Sequence, residues 1–122
     1  MSNRQADMKL DEQLQIITEG RIWQAVQEHL GGDWSRRNEL FTISQAEFDI
    51  WADSVELPYG RIHNMSKTWD GIYVLHEQRW WVVFEQERGC RVHEYGKFGD
   101  YQSAKRQALS AELLWAITLR ST

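Results

Sequence analysis

The spacing of apolar positions changes partway along this chain. In residues 10–30, Leu10, Leu14 and Ile17 form one stripe and Ile22, Val26 and Leu30 a second, at intervals of three or four, which is the period of an amphipathic helix. Thr18, Glu19 and Gly20 interrupt it, so the stretch reads as two helices or one bent helix, and Gly31-Gly32 is the stop signal. A second helix is predicted over residues 45–55. Ser44 and Glu47 have the S-x-x-E spacing of a capping box, with Ile43 and Phe48 placed for the accompanying hydrophobic staple. Phe48, Trp51, Ala52 and Val55 then face the core, and Leu57-Pro58 ends the helical register.

From Arg61 onward the period shortens. Gly71 to Leu75, Trp80 to Phe84 and Cys90 to Tyr95 are rich in β-branched and aromatic residues and are separated by short polar turns, the mark of an antiparallel meander. The middle run is apolar on both faces, as suits a central strand covered by helix on one side and by something else on the other. Residues 62–65 could add an edge strand. A last helix is predicted over residues 101–119, with Asp100 as N-cap and Ala104, Ala108, Ala111, Trp115 and Thr118 on one stripe. The expected fold class is α+β: N-terminal helices, an antiparallel sheet of three to four strands, and a C-terminal helix packed on that sheet.

Composition adds bounds to this outline. At 122 residues the chain fits a single domain over residues 1–122, and one proline with eight glycines leaves no low-complexity segment. Seven tryptophans are many for this length. Their default place is the core, with some part-exposed because the indole N–H needs a partner when covered. The lone Cys90 cannot form an internal disulfide and reads as a small buried hydrophobe. The opening MSNRQADMKL has no secretory pattern, and no apolar run could span a bilayer. A cytoplasmic protein that does not enter the membrane is expected.

Candidate chemistry is sparse. His63, His76 and His93 fall on separate strands or turns without H-x-x-x-H or C-x-x-C spacing, so no metal or other cofactor is expected. Glu85, Glu87 and Glu94 could imitate an acid/base pair. Arg88, Arg91 and Lys97 are interleaved with them, however, and alternating signs on a sheet surface are usually cross-strand pairs. No catalytic residues are assigned and no enzymatic activity is expected. The net charge of −4 is concentrated in residues 44–56, where Glu47, Asp49, Asp53 and Glu56 stand without a lysine or arginine. Asp49, Asp53 and Glu56 recur at i, i+4 and i+7, where like charges repel, and the last two lie toward the negative end of the helix dipole. Acids kept against two small penalties hint at a basic partner. Together with Trp80 as an aromatic anchor, Asp49, Asp53 and Glu56 are the candidate partner-binding residues.

Two resemblances bear on the C-terminal half. The sequence R-W-W-V-V-F-E-Q-E-R-G followed by K-F-G-D-Y-Q-S-A-K-R-Q-A-L-S-A-E-L-L is similar to the strand, E-R-G turn, strand and helix of small bacterial immunity proteins of polymorphic and contact-dependent toxin systems. The similarity is carried by Glu87-Arg88-Gly89, Phe98, Asp100, Ala104 and Leu114. It implies a small, acidic, non-enzymatic protein that plugs or distorts the active site of a basic toxin domain such as a nuclease. Gly96-Lys97-Phe98 and Ala104-Lys105-Arg106 also resemble the sheet and helix of AP2 and integrase-type DNA-binding domains. Those line the sheet with arginines, whereas Glu77, Glu85, Glu87 and Glu94 interrupt this one. A nucleic-acid surface around Arg79, Trp80, Trp81, Arg91 and Lys97 is therefore the lesser expectation.

Overall fold

In a computed structural model, which describes residues 8–120, four α-helices and a four-stranded sheet follow one another. The elements are α1 (Leu10–Thr18), α2 (Ile22–Leu30), a 3-10 turn (Trp34–Glu39), α3 (Gln45–Ser54), β1 (Ile62–His63), β2 (Gly71–Glu77), β3 (Trp80–Glu87), β4 (Cys90–Phe98) and α4 (Tyr101–Leu113). The α+β class is as expected. Contacts divide the chain into two compact units, one holding residues up to Trp51 together with those from Leu114 onward, the other holding Ala52–Leu113. The division falls inside α3.

In the first unit, the interruption at residues 18–20 separates two helices. Gly20 takes a left-handed φ of 68°, and Arg21 N–H closes on the Ile16 carbonyl at 2.9 Å, so the first helix ends in a turn that a side chain would strain. Ile16, Ile17, Val26 and Leu30 are buried, as are Leu40, Phe41, Ile43 and Phe48. One buried polar residue ties this unit together. The Gln13 amide nitrogen donates to the Met8 carbonyl (2.7 Å) and Thr42 Oγ1 (3.0 Å), while its oxygen accepts Thr42 N–H at 2.8 Å. The capping box forms as read, with Ser44 N–H donating to Glu47 Oε1 at 2.8 Å and Glu47 N–H to Ser44 Oγ at 3.1 Å.

The second unit is a sheet in the order β1-β2-β3-β4 with α4 packed on one face. β2, β3 and β4 pair antiparallel, but β1 pairs parallel with β2, Ile62 opposite Ile72, so the sheet is mixed instead of wholly antiparallel. A parallel neighbour requires a crossover. Residues 64–70 supply it by passing over the sheet face away from α4. Close approach at the join depends on Gly71, where an added Cβ would lie 2.4 Å from the Arg61 carbonyl oxygen that accepts Ile72 N–H. Strand β4 skips a partner at Val92 and again at Tyr95. Such bulges bend an edge strand and discourage pairing with a further chain. Cys90, expected to be buried, is exposed at the start of this strand.

Helix α4 begins as read, with Ser103 N–H on Asp100 Oδ1 at 2.8 Å, but ends at Leu113 instead of 119. In the first unit the Arg37 guanidinium donates to the carbonyls of Ala116 (2.9 Å) and Trp115 (3.2 Å). Arg120 N–H donates to the Ile43 carbonyl at 2.8 Å. These partners take up backbone groups of Trp115, Ala116 and Arg120 outside a helix. Ala104, Ala108 and Leu109 are buried against the sheet, and with them Lys105, whose ammonium donates to the carbonyls of Val55 (2.7 Å) and Asp53 (3.1 Å) at the end of α3.

Candidate partner-binding surfaces

The residues singled out for partner binding fall in both units. Asp49 belongs to the first unit, is half-buried, and accepts the Gln45 side-chain amide at 2.9 Å. Asp53, in the second, is held by the Arg106 guanidinium in a two-pronged pair at 2.6 and 2.8 Å. This arginine, 53 residues away, draws the Asp53 carboxyl below the usual range, first by hydrogen bonding and then by charge. The acidic segment that lacks a base in sequence therefore acquires one in space, though solvent screens an exposed pair of this kind. Glu56 is exposed and has no ion pair among the described residues.

Trp80 lies on the other side of the sheet. Side chains alternate along a strand, and Trp81 packs on Tyr101 of α4 (ring centroids 5.0 Å apart), so Trp80 projects from the opposite face, 40% exposed, with the Arg79 guanidinium 6.0 Å from its ring. Of the basic residues considered for nucleic acid, Arg91 and Lys97 share this face by register. Arg91 is committed twice. It forms an ion pair with Glu77 and lies 3.8 Å from the centre of the Phe84 ring.

Sequence reasoning missed what this face carries. Tyr73 and Phe84, fully buried, stack at 5.3 Å and 7° between planes. Tilted ring contacts lead on from Tyr73 to the His63 ring (4.8 Å) and from His63 to Trp69 (5.4 Å). Tyr73 and Phe84, with Val82 and Leu75, make a second small core, away from α4. The crossover of residues 64–70 is strapped down on it. The Tyr73 hydroxyl donates to the Trp69 carbonyl at 2.7 Å, and the buried Gln86 amide donates to the carbonyls of Lys67 (2.9 Å) and Trp69 (3.0 Å). Asn64 reaches the Leu57 carbonyl at 3.1 Å, and Asp70 accepts Arg88 N–H at 2.8 Å. Held this way, the strap turns Met65 (62%) and Trp69 (58%) to solvent. Tyr73 in a strand and Gln86 two residues after Phe84, on the same face, were the available signals. Neither points to a strap without knowledge of the register.

The first unit has its own aromatic patch. Trp34 lies between Trp23 (centroids 5.6 Å) and Trp115 (5.8 Å), with the Arg37 guanidinium 5.0 Å above its ring. Trp23 is 47% and Trp115 66% exposed.

On the α4 side of the sheet, Glu85 accepts the Tyr95 hydroxyl at 2.7 Å and lies 3.6 Å from Arg61, which also lies 3.4 Å from Glu112. Glu85 is thus engaged in a network that includes neither Glu87 nor Glu94. Burial, and then the carboxylate it faces, pushes the Tyr95 hydroxyl up to about 12; burial and Glu112 do the same for Tyr59. A phenol whose folded pKa is raised stabilises the fold fully below the unfolded value of 10.0 and progressively less as pH climbs toward 12. We expect tyrosinate absorbance near 295 nm to show all four tyrosines titrating above the ordinary value, because burial also raises Tyr73 and Tyr101, with Tyr59 and Tyr95 last and stability falling across that interval. Two titrations at the ordinary tyrosine pKa would contradict this.

Histidines 63, 76 and 93 stay apart, and among the described residues no three His, Cys, Asp or Glu side chains converge in a way that could hold a metal ion. No helix of the described residues is long and apolar enough to cross a membrane. Comparison with protein-family models, curated proteins and solved structures finds no match to this chain.

Proposed function

We propose that the protein is a non-enzymatic binding module that neutralises a protein partner with a basic surface, a toxin domain of the kind opposed by the immunity proteins to which the sequence of residues 71–114 was likened. The observation that carries the reading is the exposure of four of seven tryptophans, Trp23, Trp69, Trp80 and Trp115, each 40% or more open to solvent. Exposed aromatic patches on an ordered backbone mark interaction surfaces, and tryptophan is the residue most enriched among the anchors of protein interfaces. The mechanism is steric occlusion with electrostatic steering. Glu56 and Asp49 supply the steering, since Asp53 is already paired within the protein.

The test is association with the cognate toxin domain at low salt. Asp49→Lys and Glu56→Lys are each expected to slow association several-fold without changing the fold, because rim charges act mainly on the encounter rate. Asp53→Lys is the poorer variant, since it also breaks the pair with Arg106. On-rates unchanged by both substitutions would remove the acidic segment from the interface.

A further inference from the structure

The strap borders a groove of about 150 Å³ lined by Pro58, His63, Asn64, Met65, Lys67 and Trp69. It is too small for a typical small-molecule site, which occupies about 300 Å³ or more, yet it suits a single apolar side chain. Its walls are fixed in advance. The carbonyls of Lys67 and Trp69 are already bonded from below by Tyr73 and Gln86, so an occupant need not order the loop. The lining has one basic side chain besides His63, that of Lys67, whose ammonium lies 5.3 Å from the centre of the Trp69 ring, and no carboxylate. The nearby Asp70 has one oxygen engaged by Arg88 N–H.

We infer that this groove receives an extended segment of a protein partner that seats one apolar side chain against Met65 and Trp69 and sets a carboxylate beside Lys67. The inference rests on the protein-binding reading above and adds a second contact of opposite charge. The partner's surface facing the acidic segment is basic, whereas the segment entering the groove is acidic.

Two capped tetrapeptides, Ac-Asp-Leu-Phe-Asp-NH2 and Ac-Lys-Leu-Phe-Lys-NH2, titrated into the ¹⁵N-labelled full chain, provide the test. The acidic peptide is expected to move the Trp69 indole N–H and the amides of residues 64–70 and to bind about five-fold more tightly than the basic one, the scale of one or two exposed ion pairs. Lys67→Glu, a surface change, is expected to reverse that order, and Trp69→Ala to abolish both responses. Equal shifts from the two peptides, an order unaffected by Lys67→Glu, or shifts confined to residues outside the strap would overturn the inference. The association test with Asp49→Lys and Glu56→Lys reads a different surface. Failure at the strap with those on-rate effects intact would discard the groove and leave the binding function standing.

Discussion

Replacing Phe84 with alanine is expected to destabilise the sheet unit by about 3–5 kcal/mol, the range for deleting a buried aromatic side chain. Phe84 is 2% exposed and lies with Tyr73 against one face and the Arg91 guanidinium against the other. Its loss would open a cavity and strip the cover from a cation that is also paired with Glu77. Phe84→Leu keeps most of the apolar volume and is expected to cost less, about 1.5 kcal/mol. Denaturant unfolding followed by the amide signals of β2 and β3 would measure both. If Phe84→Ala cost under about 1 kcal/mol, the face away from α4 would not be a core, and the strap would have no platform.

The second large effect is expected at Gly71. Its φ of 143° is one that side chains rarely adopt, and an added Cβ would lie 2.4 Å from the Arg61 carbonyl oxygen and 2.8 Å from His63 Nε2. Gly71→Ala therefore combines backbone strain with a clash against rigid backbone, and together these should cost about 3 kcal/mol. The damage should be directional. The hydrogen bond from Ile72 N–H to the Arg61 carbonyl breaks first, then the pairing of β1 with β2, and with it the seat of His63 under the strap. Hydrogen exchange at Ile72 N–H and the Trp69 indole signal would report both steps. Gly99→Ala is the control, since nothing lies within 4 Å of its added Cβ, and a change within about 0.5 kcal/mol is expected. Equal costs at the two positions would contradict the close approach that places β1.

The tryptophans are the plainest case of partial legibility. Their number stands in the sequence, but nothing local distinguishes Trp51, buried with its indole donating to Thr18 Oγ1 at 2.9 Å, from Trp115, two-thirds exposed. Trp80 and Trp81 are adjacent, and strand alternation separates them, yet only the packing of Trp81 on Tyr101 identifies the helix side. The candidate acids followed the same course. Their spacing along α3 could be read directly, whereas the arginine that claims Asp53 arrives from α4.

What the sequence determined by itself is what depends on neighbours within a few residues. The capping box at Ser44 and Glu47, the N-cap at Asp100, the break at Gly20 and the three β-rich runs with their turns each express a local backbone preference that a short window contains. Tertiary structure decided everything that needed a partner from far along the chain. Arg37 takes up the carbonyls of Trp115 and Ala116 where α4 has ended, Arg106 neutralises Asp53, the Gly71 join makes β1 parallel, and Tyr73 with Gln86 turns an unremarkable crossover into a strap. The reason is physical: buried polar groups such as Gln86 must find a partner somewhere, and there, as at the exposed Asp53 and the tight Gly71 join, the neighbour was supplied by packing, which local propensity does not encode.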